Sequence, residues 1–202
     1  MNNVKILNTH INLHHGPIGV SLSGGVDSSL LLYILMSHVK DHIHIFTCSS
    51  KEKLYTSSSA SVNIIRKCIE LTGKNNITHH THYVDKQTKD NLFYPGQFRN
   101  VTILYTAITS NPPINVTEKF SNTLTELDRN PDIKKHFYND DLSFYSPFVN
   151  INKEEIYNMY KELNLLDTLF PLTRSCESLE LVNGHCGKCW WCEERMWAFK
   201  KL

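Results

Sequence analysis

The sequence predicts an α/β protein built on a parallel sheet, with a small helical appendage at its C-terminal end. Short apolar, β-branched runs at Ile18 to Leu22, His42 to Thr47 and Ile77 to Val84 alternate with helical spacing at Ser28 to Val39 and Ser57 to Leu71. Strand, helix, strand, helix, strand at this spacing is the mark of a parallel sheet. A Ser-Gly-Gly turn, Ser23 to Gly25, joins the first strand to the first helix, and four of the six cysteines gather at Cys176, Cys186, Cys189 and Cys192.

The 202 residues suffice for one well-buried domain plus an appendage, divided here as residues 1–145 and 146–202. Lys and Arg total 21 against 20 for Asp and Glu, a net +1 that offers no general reason to expect nucleic acid as a partner. No run reaches membrane-spanning length, and residues 1–20 are too polar for a secretory signal, so a cytoplasmic protein with no membrane partner is expected.

Residues 1–17 read as irregular chain with solvated histidines at His10, His14 and His15. Ile18 to Leu22 reads as the first buried strand, and Leu31, Leu32, Leu35 and Val39 mark the inner face of the helix that follows. The turn between them suits a phosphate. Gly24 and Gly25 can adopt φ > 0 and leave no side chain between backbone N–H groups and an anion. The helix, beginning near Asp27 or Ser28, aims its unpaired N–H groups at the same point, and Ser23, Ser28 and Ser29 add hydroxyls. Asp27 either caps the helix or helps position Mg²⁺. The alternative is an ordinary glycine-rich turn.

The second helix, Ser57 to Leu71, ends at Gly73, and Ile77 to Val84 places His80 and His82 on one face of the third strand. Such a pair suits a metal only with a third ligand, and an edge-strand surface is the other reading. Pro95-Gly96 is a turn, and Phe98 to Ile108 behind it is compatible with a helix carrying Arg99 and Asn100 in its first turn. Arg offers a bidentate fork to phosphate or carboxylate, and Asn can read an amide edge. Beyond Ser110 the pattern weakens, with a helix expected over Lys119 to Leu127 and no clear place for a fourth strand. Asn152 then caps a helix with Glu155 in capping-box position and Ile156, Met159, Tyr160 and Leu163 on its apolar face.

Cys186-Gly187-Lys188-Cys189-Trp190-Trp191-Cys192 is a doubled C-x-x-C. With Cys176, its thiolates satisfy a tetrahedral Zn²⁺ completely, a closed structural site. An iron-sulfur cluster and a redox dithiol are the alternatives.

Ser23-Gly24-Gly25-Val26-Asp27-Ser28 resembles the S-G-G-x-D-S signature of the PP-loop ATP pyrophosphatases, whose members adenylate a substrate and release pyrophosphate. Ser175-Cys176 followed by C-G-x-C-x-x-C-x-x-R, ending at Arg195, is similar to the zinc-bearing C-terminus of one branch, the 7-cyano-7-deazaguanine synthase (QueC) family. Ser146-Pro147-Phe148 leading into Asn152-Lys153-Glu154-Glu155-Ile156 resembles its T-P-L...S-K-x-E-I segment, and Tyr94 to Asn100 its V-P-G-R-N turn with an inserted pair. Two departures stand out: Thr47-Cys48-Ser49-Ser50-Lys51 replaces the family's T-F-D-Y-G-Q-R-H, and no G-x-N-x-x-D-Y-S-G-Y-P-D-C segment occurs between Ser110 and Asp141. The chain reads as a short, diverged member.

The resemblance implies a Rossmann-like, adenine nucleotide alpha hydrolase-like fold. It also implies ATP held by Leu22, Ser23, Gly24, Gly25, Val26, Asp27, Ser28 and Ser29, with Mg²⁺. Asp27 and Arg99 become the catalytic candidates, Arg99 and Asn100 the substrate contacts, and the cysteines the zinc ligands. The implied reaction is a carbon–nitrogen ligation: a 7-carboxy-7-deazaguanine and ammonia are converted to the 7-cyano compound by carboxylate adenylation, in queuosine or deazaguanine biosynthesis. A PP-loop tRNA-modifying enzyme transferring sulfur, which needs a basic face that the near-neutral charge does not suggest, and a non-catalytic zinc-stabilised nucleotide binder are the rival expectations. A homodimer is left open.

Overall fold

The computed structural model describes residues 2–50, 54–84, 101–120, 136–139, 142–176, 178 and 184–202. Where irregular chain was expected at the start, β1 (Asn2–Ile6) and β2 (Thr9–Leu13) form an antiparallel hairpin. Thr9, Ile11 and Leu13 face inward on alternate positions. The two-residue connection hid this pattern, because Leu7 takes φ +52 where Asn-Gly or Asp-Gly usually marks such a turn.

The alternation that follows matches the sequence reading. β3 (Ile18–Ser21), α1 (Val26–His38), β4 (Ile43–Ser50), α2 (Leu54–Thr72) and β5 (Ile77–Val84) run in order, β3 pairing parallel with β4 and β4 with β5. Helix α1 is buried almost all round, from Val26 to Met36, because it lies against β3, α2 and the later helix at Lys153–Glu162 at once.

The segment predicted as a helix at Phe98 to Ile108 contains instead the strand β6 (Ile103–Tyr105), which pairs parallel with β3 and supplies the missing fourth strand. A short, continuously apolar run buried on both faces has no period to separate strand from helix. Arg99 and Asn100 lie outside the described residues, as does most of the predicted helix at Lys119 to Leu127. After the single turn α3 (Ile114–Thr117), β7 (His136–Asn139) and β8 (Leu142–Tyr145) complete a six-stranded sheet of order β5-β4-β3-β6-β8-β7. Its first five strands are parallel and β7 runs antiparallel at the edge.

The chain leaves β3 toward β4 on one side and returns through β6 on the other. That is the switch point at which open parallel sheets bind ligands, beyond the carboxyl ends of their strands. Helix α4 (Lys153–Glu162), a 3₁₀ turn at Phe170–Leu172 and α5 (Trp190–Phe199) close the main core, where Ile18, Val20, Leu31, Ile156, Phe170 and Phe199 are nearly inaccessible. Phe46, Val101, Leu104 and Phe144 form a smaller cluster. Among the described residues no helix is long and apolar enough to cross a membrane.

Candidate active site and metal centre

The turn after β3 is built as the switch point requires. The Leu22 N–H donates to Phe46 O at 2.8 Å, carrying the strand pairing one residue past β3, and the chain then turns at Gly24 with φ +85. Gly25 is the N-cap of α1 with an ordinary φ of −77, so only one of the two glycines uses the left-handed region. Asp27 therefore lies inside the first helical turn, which removes the capping role from its two alternatives.

Hydroxyls hold the turn together. Ser23 and Ser28 Oγ atoms lie 3.0 Å apart, the Ser23 N–H donates to Ser28 Oγ at 3.2 Å, and the Gly25 N–H donates to Ser23 Oγ at 3.3 Å. Fully buried Ser29 donates its hydroxyl to Gly25 O at 2.7 Å. In this conformation Ser29 supports the turn, and Ser23 is the exposed hydroxyl beside it. The Arg174 N–H donates to Gly24 O at 2.8 Å, so a distant segment fixes the glycine carbonyl.

Asp27 meets Lys153, which motif reading quoted without assigning a role. Its Oδ2 accepts from Lys153 Nζ at 2.5 Å, and the same ammonium stands 3.4 Å from Glu194 Oε2. Lys153 is 4% exposed and Glu194 0%. A lysine this deep persists because it is paired. Asp27 Oδ1 is buried with no hydrogen-bond partner, an orphaned carboxylate oxygen in the first turn of α1. The capping box puts Lys153 there: Asn152 Oδ1 accepts from the Glu154 N–H at 2.8 Å and Glu155 Oε2 from the Asn152 N–H at 2.6 Å, which makes Lys153 the first residue of α4. Tyr160, one face along, donates its hydroxyl to Val26 O at 2.8 Å and locks α4 to the start of α1.

The four predicted cysteines converge. The Sγ atoms of Cys176, Cys186, Cys189 and Cys192 all lie within 4.8 Å of one another, with Cys186 and Cys192 3.9 Å apart. A single ion about 2.3 Å from each sulfur holds tetrahedral ligands about 3.8 Å apart, so the spacing fits one metal ion. Backbone amides already treat the sulfurs as acceptors, Cys186 N–H to Cys176 Sγ at 3.3 Å and Cys189 N–H to Cys186 Sγ at 3.4 Å. N–H donation from Lys188, the largest influence, and from Cys189 holds the Cys186 thiol down to about 6 against an upward push from burial, while burial pushes Cys192 up. Cys189 is the N-cap of α5, and Gly187 turns the knuckle at φ +74.

Between loop and cysteines lies Arg195, 1% exposed. Its Nη1 donates to Thr173 Oγ1 at 2.8 Å and Ser175 Oγ at 3.3 Å, its Nη2 to Phe170 O at 3.3 Å, and its guanidinium covers the Phe170 ring at 4.0 Å. Burial lowers its pKa to about 10. A cavity of about 280 Å³ opens beside it toward α2, its wall including Asn63, Thr173, His185 and the two cations Arg174 and Arg195. Such a wall favours an anion.

No curated protein matches the sequence. Three solved structures resemble it at low identity. The U34-tRNA thiolase NcsA from Methanococcus maripaludis with its 4Fe-4S cluster is 12% identical over 74% of this chain and 58% of that one, TM-score 0.45. The NMN synthetase of Francisella tularensis is 15% identical over 93% and 78%, TM-score 0.48. The NH3-dependent NAD synthetase of Campylobacter jejuni is 14% identical over 77% and 67%, TM-score 0.42. The chain thus spans 58% of the thiolase's length. All three scores are below 0.5, and the assignment rests on a family profile described as queuosine biosynthesis protein QueC, which matches residues 18–202 and so takes in the glycine loop, the capping box at Asn152 and all four clustered cysteines. The chain belongs to the QueC family.

Proposed function

We propose that this protein converts a 7-carboxy-7-deazaguanine to the 7-cyano compound at the expense of ATP. The observation that carries the reading is the glycine loop at the switch point, with an orphaned Asp27 oxygen beside it, in a chain of the QueC family. The substrate carboxylate attacks the α-phosphorus of ATP and pyrophosphate leaves into the Ser23 to Ser28 loop. Ammonia adds to the acyl adenylate, loses a proton and expels AMP, leaving the amide. Adenylation of the amide oxygen by a second ATP releases a second pyrophosphate, and loss of AMP with the amide protons gives the nitrile.

This chain contributes position and charge. Backbone N–H groups of the first turn of α1 would meet the leaving pyrophosphate, with the Lys153 ammonium paired to Asp27 in that same turn. Asp27 Oδ1 is the atom that would hold Mg²⁺, whose charge neutralises the phosphates when bound. Arg99 and Asn100 are the proposed substrate contacts. Zinc is the metal proposed for Cys176, Cys186, Cys189 and Cys192, in a closed site that ties the chain at Cys176 to the start of α5.

The test is incubation with ATP, Mg²⁺, ammonia and 7-carboxy-7-deazaguanine, with omission of each in turn, followed by mass spectrometry. The amide and then the nitrile should appear only in the complete mixture. Pyrophosphate release that ignores the acid and responds to another acceptor would replace the substrate and keep the adenylation.

A further inference from the structure

Lys153 is a buried ammonium shared by two carboxylates, closer to Asp27 (2.5 Å) than to Glu194 (3.4 Å). Glu194 comes two residues after Cys192, in a helix capped by Cys189. A second connection runs beside this one. Arg195 grips Thr173 and Ser175, and between them the Arg174 N–H holds Gly24 O at 2.8 Å. The segment carrying the metal-ligating sulfurs thus holds both residues that shape the loop, Asp27 and Gly24.

We propose that Glu194 is a positioning residue through which the cysteine centre and the nucleotide loop govern one another, with Lys153 as the movable partner. The inference rests on the reading of Ser23 to Ser28 as a nucleotide loop. One ammonium serves two carboxylates, so what one gains the other loses. A cation arriving with the phosphates at Asp27 Oδ1 repels the Lys153 ammonium held on Oδ2 of the same carboxylate. The ammonium then moves toward Glu194 and closes the 3.4 Å gap. A firmly paired Glu194 steadies the first turns of α5, and with them Cys189 and Cys192.

The reverse follows from the same contacts. With no ion on the sulfurs the start of α5 loses its anchor and Glu194 competes poorly for the ammonium. Lys153 then stays on Asp27 Oδ2, where its positive charge opposes a cation at Oδ1. Metal and nucleotide should therefore strengthen each other's binding by the same factor.

The experiment uses the zinc-loaded full chain. Zinc affinity is measured by competition with a colorimetric chelator, with and without saturating Mg²⁺ and a non-hydrolysable ATP analogue, and binding of the analogue is measured calorimetrically. The analogue should raise zinc affinity about tenfold, within the usual range of such couplings. Glu194→Gln, checked by circular dichroism and zinc content, should bind both ligands while the response disappears. Lys153→Met should lose the response as well. Zinc affinity indifferent to bound analogue in the unaltered protein overturns the inference, and so does a response preserved in Glu194→Gln. If the analogue does not bind at all, the nucleotide reading falls and the inference with it. The unaltered protein decides the matter if neither variant folds.

Discussion

Gly24 and Gly25 are neighbours with different tasks. Gly24 sits at φ +85, where an L side chain costs about 1–2 kcal/mol, so Gly24→Ala should lower thermal stability with or without ligand. Gly25 has an ordinary φ, and an added Cβ would meet only Ser23 Oγ at 3.4 Å and Arg174 O at 3.8 Å. Gly25→Val should therefore fold near normally and keep its metal, yet lose ATP-to-AMP turnover, because the side chain stands between the loop amides and a phosphate. Normal turnover in Gly25→Val would mean that no phosphate approaches there. Asp27→Asn should also reduce turnover, by at least about tenfold, with partial rescue at high Mg²⁺. Helix capping cannot explain a defect there, since Gly25 is the cap. The motif was legible at this scale and the ion pairs behind Asp27 were not: its partner Lys153 and that residue's second partner Glu194 stand 126 and 167 positions further along the chain, and only tertiary packing brings them together.

At the scale of elements, β3, α1, β4, α2, β5 and α4 were legible because each carries a period or a cap. β6 was not, being three apolar residues with no period. The β1–β2 hairpin was masked by its leucine turn. Packing at the sheet centre gives a prediction about β3. A Cβ on Gly19 would come within 2.9 Å of Leu104 Cδ1 and 3.0 Å of the Phe46 ring, so Gly19→Val should cost about 1–3 kcal/mol in urea unfolding while leaving the loop residues intact.

The β4–β5 edge should be acid-sensitive. Burial, reinforced by neighbouring histidines, lowers the pKa values of His44, His79 and His80 below 6.5, and His44 Nδ1 and His80 Nε2 share a hydrogen bond at 2.9 Å. The unfolded chain takes up protons near 6.5, the folded edge only at lower pH. The stability present above about pH 6.5 is thus lost as pH falls through the lowered values. Thermal melts from pH 7.5 to 5.5 should show this decline, and His44→Asn should flatten it. An unchanged slope would place the acid sensitivity elsewhere.

Across the whole molecule, the C-terminal segment closes the core and holds the loop, so the metal proposed for its cysteines is expected to support the entire fold. Cys176→Ala should lose zinc and lower the melting temperature by on the order of 10 °C, several kcal/mol for a chain this long. Elemental analysis finding iron with sulfide in the purified protein would replace zinc by a cluster. The cysteine centre was legible from spacing alone, because a doubled C-x-x-C leaves few geometries open. Its attachment to the glycine loop was not, since Arg195 only closed the family motif and nothing in the sequence singled out Glu194.

The central claim is adenylation at the Ser23 to Ser28 loop, and the spent nucleotide reports on it most directly. Chromatography of a reaction containing ATP, Mg²⁺, ammonia and 7-carboxy-7-deazaguanine should show AMP, with pyrophosphate released in equal amount, because this loop is read as holding a pyrophosphate leaving group. ADP with inorganic phosphate as the sole products would mean cleavage between the β and γ phosphates and would contradict the account.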